Sequence, residues 1–198
     1  MKEEKNKNIA ACVLAGGQSK RMGRPKHSVI IPGDGRTFLD RMCDEIDRVY
    51  PSVIRGRYIS MRSDQNIERE GYKCVCDRYE AIGPLGGIAS ALADAKRDGF
   101  NAVLMLACDM TAYNCQEIIN ICERYDGDDI LFARTDETDI QPLASIYGIT
   151  VLDAIMTQID NGNYRIRDLE KLVKKSEYFD SVCPERYFNQ NTVAEQPN

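Results

Sequence analysis

The stretch VLAGGQSKRMGRPK, residues 13–26, carries three glycines and four cations directly behind an apolar run. Glycines let successive backbone N–H groups converge on an anion with no Cβ in the way. Arg21 adds a planar fork suited to phosphate oxygens, and Lys26 a mobile point charge. The chemistry on offer is the cradling of an anion, phosphate above all. The spacing matches neither common phosphate loop. Arg24 after Gly23 breaks the Walker A pattern, and Gln18 stands where a dinucleotide-binding loop needs its second glycine. A plain surface turn with solvated cations fits the same residues. Lys20 and Arg24 read as solvated cations, and His27, the one histidine, as a bystander rather than an acid.

The chain as a whole is acidic, with a net charge of −5. That balance excludes a broad basic face for nucleic acid and leaves a small, local anion site. No apolar run approaches the ~20 residues that span a bilayer, and MKEEKNKN lacks the apolar core of a secretory leader. A cytoplasmic protein is expected. Eight cysteines in a chain of this size read as small buried hydrophobes, with Cys74 and Cys76 on one face of a strand.

The elements that must position the loop alternate between strand and helix. Apolar runs predict strands at 9–15, 54–60, 72–76, 102–108, 129–134 and 143–148. Helical spacing predicts helices at 37–50, 85–98, 115–125, 150–160 and 165–175. Such alternation implies one α/β domain, residues 9–198 behind a polar tail of residues 1–8. Its architecture is a three-layer α/β/α sandwich around a mostly parallel, mixed, Rossmann-like sheet. Ligands of these sheets bind beyond the carboxyl ends of the strands. Four segments qualify: the glycine loop, DRYEAIGPLGG (77–87), DMT (109–111) and the turn near Gln141.

LAGGQSKRMGRPK resembles the LAGG-x-S-x-R-M-G-x-x-K loop of nucleotidyltransferases, in the form carried by molybdenum cofactor guanylyltransferases of the MobA type. CDRYEAIGPLGGI is similar to that family's D…GPL-x-G-[IM] segment, LACDM to its metal-binding C-D-x-P, and IQPLASIYG to its P-L-x-x-x-Y strand. GNYRIRDL and YFNQNTVAE are similar to its two C-terminal motifs. Thr111 and Val193 replace prolines of the family pattern, which loosens two turns without deleting a ligand.

The resemblance implies a nucleotide-diphospho-sugar-transferase-like fold and transfer of GMP from GTP to a molybdenum-molybdopterin cofactor, with release of pyrophosphate. It implies Mg2+ on Asp109, which would otherwise be a strand-end cap for the next helix. Arg21, Lys26 and Asp109 become the catalytic set, although Arg21 also fits a loop-holding salt bridge. Leu14, Ala15, Gly16, Gly17, Lys26, Ser60, Asp77, Gly83 and Asp109 become the GTP-binding set. Guanine presents N1–H and N2–H2 donors, so an acceptor such as Asp77 suits its pocket, while a turn role for Asp77 stays open. The glycines of 83–87 would let backbone approach the base or ribose. Asn189 and Asn191 fall on the pterin side, or cap a terminal turn. The implied partners are GTP, a molybdopterin-type cofactor and molybdenum-enzyme maturation proteins, with no nucleic acid and no membrane. Two other readings remain: a cytidylyltransferase on the same or another phosphate acceptor, and a non-catalytic nucleotide-binding regulatory module.

Overall fold

The computed structural model describes residues 7–17, 25–79 and 81–188. Seven strands form one sheet in the order β3-β2-β1-β4-β6-β5-β7. They are β1 (Ile9–Leu14), β2 (Gly56–Met61), β3 (Lys73–Cys76), β4 (Ala102–Ala107), β5 (Ile130–Arg134), β6 (Ile140–Gly148) and β7 (Ser176–Asp180). β1 runs parallel to both β2 and β4, and β2 to β3. β6 alone is reversed, antiparallel to β4 and β5, and β7 lies parallel to β5. The sheet is therefore mixed and mostly parallel.

The apolar runs of β1 and β4 are buried on both faces, as a central parallel strand must be. Ala11 and Val13 join a core with Leu39, Met42, Ile46, Ile118 and Ile121. Ala10 and Cys12 join the opposite core with Leu85, Ile88, Leu92 and Ile155. Helices α1 (Phe38–Asp47) and α3 (Cys115–Arg124) thus cover one face. Helices α2 (Pro84–Arg97) and α4 (Leu152–Asp160) cover the other. Thr37 starts α1, its hydroxyl accepting the Asp40 N–H at 3.0 Å.

Residues 7 and 8 are tied to the domain: Lys7 Nζ donates to the Glu123 carbonyl at 2.7 Å, and the Asn8 carbonyl accepts the Asn101 N–H at 2.9 Å. Two expectations are corrected. The expected helix over 165–175 is a short 3-10 turn, Ile166–Lys171, followed by strand β7. β7, SEYFD, is a half-exposed edge strand, so it lacks the apolar run that marks the others. Gln141 sits inside β6 rather than in a turn. Pro142, which has no N–H for the ladder, lies opposite a register shift between Leu131 and Ala133. The buried Ser145 hydroxyl mends that gap by accepting from Ala133 N at 3.0 Å and donating to the Gln141 carbonyl at 2.6 Å. No helix among the described residues is long and apolar enough to cross a membrane.

Candidate active site

The parallel strands β3, β2, β1 and β4 end side by side, and a cleft of about 870 Å3 opens above those ends. β1 leaves the sheet at Leu14, and Leu14, Gly16 and Gly17 line the cleft. Ala15 does not. Its side chain is 1% exposed in the core, and its N–H is spent on the Ser60 carbonyl at 2.8 Å. The pleat explains this, because neighbouring residues face opposite sides.

At the next strand end Ser60 is buried but borders the cleft. Beyond it, Asp77 also lines the cleft while accepting the Tyr79 N–H at 2.9 Å. It is a turn residue and a wall residue at once. Helix α2 begins here, with Gly83 at φ +73° and Pro84 in the first turn. Gly83, Pro84 and Gly87 face the cleft, so the positive end of a 14-residue helix points at it. The glycines of this turn serve protein packing as much as ligand approach. A Cβ on Gly86 would lie 2.7 Å from the Tyr79 carbonyl and 2.8 Å from Asp77 Oδ1, and one on Gly87 3.0 Å from Ser60 Oγ.

On the far side of β1, Asp109 follows β4 with its side chain 6% exposed, and Lys26 Nζ donates to its Oδ2 at 2.5 Å. Lys26 rides on a 3-10 turn, Lys26–Ser28. Asp109 caps no helix: Asn114 does that for α3, accepting from Gln116 N and Glu117 N. The neighbouring Cys108 thiol is pushed up to about 12 by burial and by the Asp109 charge, so it stays protonated at neutral pH. His27 is lowered by burial, and the Gln65 amide nitrogen lies 3.3 Å from its Nδ1. It is engaged with Gln65 and does not line the cleft.

Arg21, Asn189 and Asn191 lie outside the described residues. The sequence reading omitted Arg62, Ser63 and Asp64, which line the cleft directly after β2. The rule about strand ends that selected four other segments would have found them. Leu143 of β6 adds an apolar group to the lining.

The Asp109 corner suits Mg2+ brought in with a polyphosphate. That ion takes one or two carboxylates and fills its remaining positions with phosphate oxygens and water. Among the described residues no group of three or more His, Cys, Asp or Glu could hold a metal alone, so phosphate oxygens would have to complete the set.

Residues 11–177 match a family model described as a MobA-like NTP transferase domain. A probable molybdenum cofactor guanylyltransferase of Rhodopirellula baltica is 27% identical over 195 residues, spanning 94% of this chain and 89% of that protein. One of Pelotomaculum thermopropionicum is 30% identical over 163 residues, spanning 82% of this chain and 74% of its own. Molybdopterin-guanine dinucleotide biosynthesis protein A from Archaeoglobus fulgidus superposes with a TM-score of 0.74 at 19% identity. The match covers 92% of each chain and shows a common fold.

Proposed function

The chain belongs to the MobA-like NTP transferase family, and from that premise we propose that it moves GMP from GTP to a molybdopterin-type cofactor. The products are a guanine dinucleotide cofactor and pyrophosphate. That it is a nucleotidyltransferase follows from its relatives. The observation that carries the finer reading is the pairing of Lys26 with the buried Asp109 at one end of a glycine-lined cleft.

A phosphate oxygen of the acceptor is ionised at neutral pH, so attack on the α-phosphorus needs no general base. Neither His27, engaged with Gln65, nor the protonated Cys108 thiol is called on as one. What the residues supply is position and charge. The turn at Gly16 and Gly17 offers backbone amides to the phosphates. Lys26, once released from Asp109, offsets charge on the triphosphate and then on departing pyrophosphate. Asp109 would hold Mg2+, which when bound neutralises phosphate oxygens as a Lewis acid. Asp77 would accept from the guanine N1–H and N2–H2 groups.

The test is pyrophosphate release by purified protein, with the nucleotide varied one at a time. Release from GTP that requires both the molybdopterin cofactor and Mg2+ is the expected result. Equal turnover of CTP would replace the guanylyl reading with a cytidylyl one. Nucleotide binding without pyrophosphate under any acceptor would leave a binding module.

A further inference from the structure

Among the described residues that line the cleft, Arg62 is the cation that the proposed mechanism leaves unused. It follows β2, which lies between β3, leading to Asp77, and β1, leading to the glycine turn. One edge of its guanidinium is closed on Asp64, with Nε to Oδ1 at 2.8 Å and Nη2 to Oδ2 at 2.9 Å. That grip leaves the end-on edge, formed by Nη1 and Nη2, as a second fork. Nη1 already lies 3.4 Å from the Gly16 carbonyl, over the glycine turn. A Cβ on Gly16 would crowd the Arg62 stem, at 3.3 Å from Cγ, so glycine at residue 16 leaves room for this arginine beside the turn.

Position decides which part of a nucleotide meets that fork. Triphosphate must stay with Asp109 and Lys26 at the end of β4. β2 is two strands away, about 9–10 Å across the sheet. That is the reach of a ribose and a base. The paired Arg62 and Asp64 are also neutral together, which favours a directional contact with an uncharged ring over attraction to an anion. Asp77 ends the adjacent strand, its N–H bonded to the Met61 carbonyl at 2.8 Å. A carboxylate and an arginine fork therefore stand one strand spacing apart. Guanine presents the complementary pair: N–H donors at N1 and N2, and acceptors at O6 and N7 on the neighbouring edge.

We propose that Arg62, held by Asp64 over the Gly16 turn, reads the O6/N7 edge of guanine and makes the cleft selective for a guanine nucleotide. This rests on the reading of the site as a GTP site. Adenine presents a donor where guanine has O6, and cytosine has no N7, so neither satisfies the fork.

Replacement of N7 by carbon tests it. Dissociation constants for GTP, 7-deaza-GTP, ITP and CTP are measured with Mg2+ by titration calorimetry, no acceptor being needed. The wild-type protein should bind 7-deaza-GTP about tenfold more weakly than GTP, within the range for one lost base contact. Arg62→Met keeps the stem against Gly16 and removes the donors. It should bind GTP as weakly as 7-deaza-GTP, while the penalty for ITP, which lacks only N2, persists. Arg62→Lys keeps the charge without the fork and should behave the same way. Equal wild-type affinity for GTP and 7-deaza-GTP would overturn the proposal. So would discrimination that survives both substitutions, or an equal loss of GTP and CTP binding, which would place Arg62 on phosphate. N7 discrimination without pyrophosphate release on any acceptor would sink the guanylyltransferase reading and leave this one standing. Release from GTP with no N7 discrimination would do the reverse.

Discussion

Asp109 keeps a carboxylate almost entirely out of water, and Lys26, with a quarter of its side chain exposed, is the cation set against it. Removing one partner of such a pair leaves an uncompensated charge in the protein, whereas neutralising the buried partner does not. The two substitutions should therefore separate. Asp109→Asn should abolish GTP turnover and leave the melting temperature at or above the wild-type value. Lys26→Met should slow turnover by about 10²–10³ and also lower the melting temperature, as followed by circular dichroism. Wild-type turnover in Asp109→Asn would remove it as the metal ligand. The sequence singles these two residues out by a motif and a strand end, and the fold pairs them at 2.5 Å. Arg62 carries no motif, and only its place after β2 marks it. Ala15 sits within the motif, yet the pleat turns it into the core.

Helix α2 shows where local and tertiary preferences collide. Alanine is favoured over glycine inside a helix by about 1 kcal/mol, so propensity alone predicts that Gly86→Ala stabilises the protein. Contact with the Tyr79 carbonyl and the Asp77 carboxylate predicts the opposite, by about 1–3 kcal/mol for an overpacked site. The expected outcome is a lower melting temperature and GTP affinity weakened at least about tenfold, because Asp77 must move. A stabilised variant with unchanged affinity would show that the turn relaxes freely. Elements with long apolar runs, such as β4 and β1, were readable from sequence to within a residue or two. β7 was not, because an edge strand with one wet face needs little apolar character. The first residues of β6 were misread as a turn because Gln141 and Pro142 look like one, and only the Ser145 hydroxyl reconciles them with a ladder.

Between the outer strands and α1, charge joins the parts alongside the shared apolar core. Arg69 donates to Asp40, Asp44 and Asp47, one helical face of α1, at 2.8, 2.7 and 3.1 Å. Burial raises the Asp44 and Asp47 carboxyls, but hydrogen bonds outweigh it and hold both below the ordinary value. Those bonds come from Arg36 and Arg69 to Asp44, and from Arg57, Tyr72 and Arg69 to Asp47. Depressed folded values mean the contribution is complete above about pH 4 and disappears as pH falls through them. Arg69→Met should cost about 1–2 kcal/mol at pH 7, the sum of three half-exposed pairs. Its deficit relative to wild type, measured by urea unfolding, should shrink towards pH 2. A deficit independent of pH would assign the loss to packing instead. A different long-range tie closes the same face of the sheet at α3. Glu117 of α3 is fully buried and accepts Arg186 Nη1 at 2.9 Å and the Tyr187 hydroxyl at 3.0 Å. During synthesis that side chain waits roughly seventy residues for its partners, so a nascent chain still tethered before residue 187 leaves Glu117 without them. The native state becomes attainable only late in translation, and chains cut short of Arg186 are expected to be cleared as misfolded rather than to persist as partial enzymes.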